Sequence, residues 1–182
     1  ESAREADVYD RVYQAERPEL FFKATPHRVV GHGADVRIRA DSPWNVPEAE
    51  LTLAVNREGR IFGYTIGNDM SSRSIEGANP LYLPQAKIYA GACALGPAVL
   101  EPDDWSQPFA IEMRILSADG RELYAGMTST DQMRRSFEEL AAWLVRENPV
   151  PPGSVLLTGT GLVPPADFTL EPGHVVEIRV PG

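Results

Sequence analysis

Cysteine is nearly absent: Cys93 stands alone among 182 residues, so no internal disulfide can form, and a stapled secreted scaffold is excluded. No apolar run approaches the ~20 residues that a membrane-spanning helix needs. Positive charge is in deficit, with 17 Lys and Arg against 26 Asp and Glu and a formal charge of −9. That balance argues against an electrostatic grip on nucleic acid or anionic membrane, and it is compatible with cation binding. Also missing from the opening residues are an initiator methionine and the basic and apolar regions of a signal peptide. The expectation is a protein of a reducing compartment, the cytoplasm, with an additional region upstream of Glu1. No internal repeat, low-complexity tract or composition shift marks a boundary, so residues 1–182 are expected to form a single domain, long enough to bury about 70% of its unfolded surface.

What is present is β-rich. Sixteen prolines and fifteen glycines punctuate short runs of Val, Ile, Leu and Thr. Strands are predicted over 19–24, 35–40, 49–55, 60–67, 93–100, 109–116, 121–126, 154–160 and 174–180, with Asp119-Gly120 a hairpin turn. One helix is predicted in DQMRRSFEELAAWLVREN, where Met133, Phe137, Leu140, Ala141, Leu144 and Val145 recur at helical spacing. Ser129 and Gln132 are placed as a capping box at its start.

In WNVPEAELTLAV, residues 44 to 55, Ala49, Leu51, Leu53 and Val55 alternate with Glu48, Glu50 and Thr52. That is a strand with one buried face, and its other face carries two carboxylates roughly 7 Å apart. NREG follows as a turn with Gly59 free to be left-handed, and then RIFGYTIGND returns as the second strand of a hairpin. With 57–59 as the loop, position 48 lies opposite 68, which puts Asp69 just past the partner of Glu48. Three carboxylates gathered at one hairpin end repel one another unless a cation or protons neutralise them. Mg²⁺, with its demand for hard oxygen ligands, suits such a site, and Mn²⁺ or Ca²⁺ would also accept it.

In order along the chain stand PEAELTLAV, GYTIGNDMSSRSIEG, KIYAGACALGP, GSVLLTGTG and LEPGHVVEIRV. This succession resembles the fumarylacetoacetate hydrolase superfamily, whose pattern runs E-x-E, N-D-x-S-x-R, a Lys leading to L-G-P, and a G-T-G or G-T-P loop. The resemblance implies a mainly β fold with few helices, a mixed β-roll or β-sandwich core. It also implies a divalent cation, usually Mg²⁺, held by Glu48, Glu50 and Asp69, and a homodimer or homotetramer. Lys87 falls where the superfamily has its active-site lysine and would stabilise developing enolate charge. Arg73 is the arginine of N-D-x-S-x-R, for substrate contact or an ion pair within the loop. Thr160 could offer its hydroxyl and neighbouring N–H groups to a substrate carboxylate.

Within the superfamily, SRSIEGANPLYLPQAKIYAGACALGP and YDRVYQAERPELFFKATPHRVVG look most like the branch that dehydrates 2-keto-3-deoxy-D-arabinonate. Hydrolases of the superfamily typically read K-S-F-D-T-F-x-P-x-G-P where this chain has KIYAGACALGP, and they usually carry an apolar residue at the position of Glu19. The implied reaction is abstraction of a C3 proton from a 2-keto acid chelated through its carboxylate and keto oxygen, with Glu19 as base. Loss of the C4 hydroxyl as water then gives 2-oxoglutarate semialdehyde. Two alternatives remain open: a metal-dependent acylpyruvate-type C–C hydrolase, favoured by a His–Glu pair upstream of Glu1, and a catalytically silent 2-oxo-acid binder.

Overall fold

The computed structural model describes residues 14–181, so residues 9–13 of the YDRVYQAERPELFFK stretch lie outside it. In chain order the described residues form β1 (Val29–Val30), β2 (Asn45–Val46), β3 (Ala49–Val55), β4 (Ile61–Asp69) and β5 (Ser71–Ser72). Helices α1 (Arg73–Ala78) and α2 (Leu83–Lys87) follow, then β6 (Cys93–Leu95), β7 (Ala110–Leu116) and β8 (Glu122–Ser129). Helix α3 (Phe137–Val145), β9 (Ser154–Leu157) and β10 (Val175–Arg179) complete the order. The strands build a five-stranded sheet ordered β1-β6-β4-β3-β9, a three-stranded sheet ordered β10-β7-β8 and a short β2-β5 pair. All pairings are antiparallel except β1 with β6. This is the mainly β, mixed-sheet architecture with few helices that the sequence led us to expect. Among the described residues, no helix is long and apolar enough to cross a membrane.

One apolar core joins the two larger sheets. Leu51, Leu53 and Val55 of β3 meet Ile111, Met113 and Ile115 of β7, the alternate positions of each strand. Helix α3 adds Leu140 and Ala141, with Phe137 and Leu144 packed against them. Phe137 also touches the ring cluster of Trp105 and Phe109, which Tyr64 completes. Burial of these faces supplies the main driving force for the fold.

Several expectations need correction. β3 is buried along its whole length, not on one face. It lies between β4 and β9, and Glu50, Thr52 and Ala54 of its second face are buried as well. The hairpin register expected from the turn holds only beside it: Val55 faces Ile61, but Ala54 faces Gly63, which leaves Phe62 as the extra residue of a β-bulge. Beyond the bulge every pair shifts by one, so Ala49 faces Asn68 and the Asp69 N–H donates to Glu48 O at 2.9 Å. No strand forms over 19–24 or 35–40. Val36 and Ile38 do pack on the core, but neighbouring N–H groups go to Gly91 O and to Asn45 Oδ1 instead of a ladder. The strand expected over 93–100 stops at Leu95, with Leu100 making only an isolated bridge to Tyr64. The main helix begins at Phe137, capped by Ser136 Oγ accepting from Glu139 N; Ser129 instead caps a 3-10 turn at Thr130–Gln132.

Gly67 of β4 faces Glu50 of β3 in the ladder and packs closely against Thr52 and Leu157. A Cβ there would collide with Thr52 Oγ1 and come within 3.0 Å of Leu157 Cδ2. Thr52 is fully buried and cannot yield. Gly67→Ala is therefore expected to lower stability by about 1–3 kcal/mol, read as a lower denaturant midpoint in chemical unfolding; Gly31→Ala, with open space around it, is the neutral control.

Candidate metal centre

The hairpin brings Glu48, Glu50 and Asp69 together. Glu48 and Glu50 are two residues apart and project to the same side of β3, and the bulge sets Asp69 directly across from Glu48. One oxygen from each carboxylate lies within 4.8 Å of the others. All three residues are buried. This convergence is what the sequence predicts for these positions, and the bulge makes it closer than the unbulged register would.

Cations surround two of the three carboxylates. Lys87, at the end of α2 and only 3% exposed, places Nζ 2.8 Å from Glu48 Oε2 and 3.1 Å from Asp69 Oδ2, and it also donates to Ser71 Oγ. Arg73 lies 3.0 Å from Glu48 Oε1 and 3.4 Å from Glu76. Of the two roles considered for Arg73, the structure displays the ion pair. Ser71 Oγ completes the set by donating to Glu48 Oε1 at 3.0 Å. Lys23, which the sequence reading did not single out, reaches Asp69 Oδ1 at 2.6 Å. Its only sequence signal is a lone lysine amid LFFKAT, and nothing in that pattern shows that it is buried.

Glu50 is different. Among the described residues it makes no ion pair, and its hydrogen bond is from the Gly159 N–H to Oε2 at 2.6 Å. Gly159 adopts the left-handed conformation at φ +93° that aims this N–H inward. The G-T-G loop thus offers a backbone N–H to a carboxylate, as expected for the loop, but the carboxylate is the protein's own. The Thr160 hydroxyl bonds Leu162 N and O within its turn while the residue lines the cavity over the site.

The electrostatics follow from these contacts. Burial opposes ionisation of Glu48, but Lys87 and Arg73 outweigh it and hold its pKa below the ordinary value. For Asp69 burial prevails over Lys87 and Lys23, and its pKa is raised. Glu50 is pushed up to about 8, first by burial and then by the charges of Asp69 and Glu48. Burial likewise raises the Cys93 thiol to about 11. A divalent cation fits this donor set: three hard oxygens converge, and the one carboxylate without a cation partner is the one whose charge it would neutralise.

The carboxylates open into a cavity of about 1960 Å³, also lined by Glu19, Lys23, Arg73, Lys87 and Thr160. Glu19 is exposed there and makes no ion pair or hydrogen bond among the described residues. It is not paired with Arg17, whose guanidinium lies 4.6 Å over the Trp143 ring. The chain's one H-x-x-E run, His174 to Glu177, does not line this cavity; His174 stacks on Phe168 at the start of β10.

Comparison with known proteins agrees with this geometry. The model of the fumarylacetoacetate (FAA) hydrolase C-terminal family matches residues 1–182. The chain is 46% identical over 174 residues to 2-dehydro-3-deoxy-D-arabinonate dehydratase of Saccharolobus solfataricus, covering 95% of this chain and 58% of that protein. It is 50% identical over 177 residues to a probable 2-keto-3-deoxyxylonate dehydratase of Haloferax volcanii, covering 97% and 61%. A solved 2-keto-3-deoxy-D-arabinonate dehydratase complexed with magnesium and 2,5-dioxopentanoate superposes with a TM-score of 0.91 at 46% identity, covering 95% of this chain and 62% of that one. The chain thus spans about three-fifths of the length of these relatives. With the family model matched from end to end and relatives at up to half identity, the chain belongs to the fumarylacetoacetate (FAA) hydrolase C-terminal family.

Proposed function

We propose that residues 1–182 form the catalytic domain of a Mg²⁺-dependent dehydratase that converts 2-keto-3-deoxy-D-arabinonate, a 2-keto-3-deoxy sugar acid, to 2-oxoglutarate semialdehyde. The observation that carries this reading is the buried set of Glu48, Glu50 and Asp69 beside Lys87, in a chain 46–50% identical to two dehydratases of such acids. The 2,5-dioxopentanoate complexed with magnesium in the solved relative is that same semialdehyde. A homodimer or homotetramer in the cytoplasm belongs to the same proposal; the family resemblance and the free, buried Cys93 support it.

Glu48, Glu50 and Asp69 would hold the cation. When bound, it would supply Lewis-acid polarisation of the substrate's 2-oxo group, which makes the C3 protons more acidic. Glu19, exposed to the cavity and unpaired among the described residues, takes a C3 proton. Lys87 stands close enough to the carboxylates for its ammonium to stabilise the negative charge that grows on the keto oxygen. That ammonium stays charged: burial lowers its pKa, but Glu48 and Asp69 raise it further. The C4 hydroxyl leaves with a proton as water, and proton shifts through C5 turn the resulting unsaturated alcohol into the aldehyde. Arg73 and Thr160 would help seat the substrate, Arg73 while it neutralises Glu48.

Incubated with Mg²⁺ and 2-keto-3-deoxy-D-arabinonate, the protein is expected to release semialdehyde and not to cleave acetylpyruvate. Glu50→Gln should abolish turnover, whereas Glu19→Gln should cut kcat by roughly 10²- to 10⁴-fold with cation affinity preserved. Cleavage of acetylpyruvate without semialdehyde would identify a hydrolase; neither activity would leave a silent 2-oxo-acid binder.

Cation binding must displace the proton that Glu50 retains up to a pH of about 8. Mn²⁺ affinity measured by calorimetry should rise about tenfold per pH unit below that value and flatten above it. The same proton governs the cation-free protein. The folded pKa of about 8 lies above the ordinary glutamate value of 4.5, so the protonated carboxyl favours folding below that lower value, and the advantage is lost as pH rises toward the upper one. Glu50→Gln should therefore unfold later than wild type in chelator at pH 7, by on the order of 3 kcal/mol, and the gap should close in acid.

A further inference from the structure

The segment that carries Glu19 belongs to no sheet, yet it is fastened at both ends. At one end Arg135, just before α3, donates to Ala15 O and, at 3.0 Å, to Glu16 O. Arg17 is laid over Trp143 of α3. At the other end stands Lys23, 9% exposed. Between them Leu20, Phe21 and Phe22 are 37%, 39% and 62% exposed, so apolar burial holds this stretch only weakly.

The Lys23 ammonium makes one ion pair and two hydrogen bonds to main-chain carbonyls. Nζ contacts Asp69 Oδ1 at 2.6 Å, donates to Met70 O at 2.9 Å and donates to Lys87 O. One buried group therefore ties the 19–25 segment to a carboxylate of the metal centre, to the backbone beyond it and to the backbone of the active-site lysine. With Oδ1 engaged by Lys23, Asp69 is turned so that Oδ2 meets Lys87 Nζ at 3.1 Å. A charge whose only task was to neutralise carboxylates would not need two main-chain acceptors.

We propose that Lys23 is a positioning residue of the dehydration. It clamps the strand-less segment against the metal centre, so that Glu19, Asp69 and Lys87 keep one mutual geometry. This rests on the dehydratase reading for its substrate, but not for its structural content. A misplacement of reacting groups by about 1 Å can cost on the order of 10²-fold in rate. Rate, and not cation affinity, is therefore where loss of the clamp should appear. Glu48 and Glu50 remain as ligands, and removal of a positive charge from their surroundings favours a divalent cation.

The test compares wild type with Lys23→Met, which keeps the apolar stem and removes the ammonium, and with Lys23→Ala. In Lys23→Met, kcat for semialdehyde formation should fall about 10- to 100-fold with KM within about threefold. Its Mn²⁺ affinity by calorimetry should stay within about threefold of wild type or tighten, and amide exchange over residues 19–25 should quicken while β3 and β4 stay protected. In Lys23→Ala, added propylammonium should restore part of the lost kcat. A kcat within threefold of wild type, a tenfold loss of Mn²⁺ affinity, or unchanged exchange over 19–25 would overturn the clamp. If wild type itself forms no semialdehyde, the functional reading fails. Mn²⁺ affinity and amide exchange then decide the clamp: affinity kept with faster exchange upholds it, and either other result refutes it.

Discussion

Mutual repulsion among three buried carboxylates is the constraint to which the rest of this structure answers. Glu48, Glu50 and Asp69 lie close enough to share one cation, and each is nearly cut off from water. Bringing such groups together is costly unless each finds a partner. Lys87, Lys23 and Arg73 are accordingly buried or nearly so, and each reaches the cluster from a different part of the chain: the end of α2, the segment before β1 and the start of α1. The compensation stops short of Glu50, which receives a backbone N–H from Gly159 and no cation among the described residues. With that one partner missing, the cluster is one that a divalent ion could complete.

The core and the site are built on the same strand. The odd positions of β3 fill the apolar interface with β7, while Glu50 on the opposite face enters the carboxylate cluster. Since β4 and β9 pair with its two edges, β3 has little freedom to move. Rigid central strands hold ligating groups more precisely than loops do. The proton-abstracting residue, by contrast, is proposed on a segment outside any sheet, where function commonly resides on a scaffold that holds it. Such a segment needs fastening, and the contacts of Lys23 and Arg135 provide it.

What was legible in the sequence was chemistry attached to short-range pattern. Alternation in AELTLAV located β3, the Gly59 and Gly120 turns closed their hairpins with positive φ, and the ordered motifs marked Glu48, Glu50, Asp69 and Lys87 as one set. Less legible was anything that depended on what lay across from a residue. The short apolar runs in ELFFKA and DVRIRA looked like strand, but pairing is a property of two segments, and neither found a ladder. The helix starts after Ser136, not Ser129, because Ser129 caps a separate 3-10 turn that ends with Met133 in an extended conformation.

By itself, then, the sequence determined the donor set, its order along the chain and the alternating pattern that puts apolar side chains on one face of β3 and carboxylates on the other. These follow from covalent order and from the two-residue period of a strand. The tertiary structure alone decided the exact facing of Asp69 and Glu48 through the Phe62 bulge, the burial of Lys23, and the turning of the Gly159 N–H toward Glu50. Each joins residues twenty or more positions apart, and no local periodicity encodes such a distance.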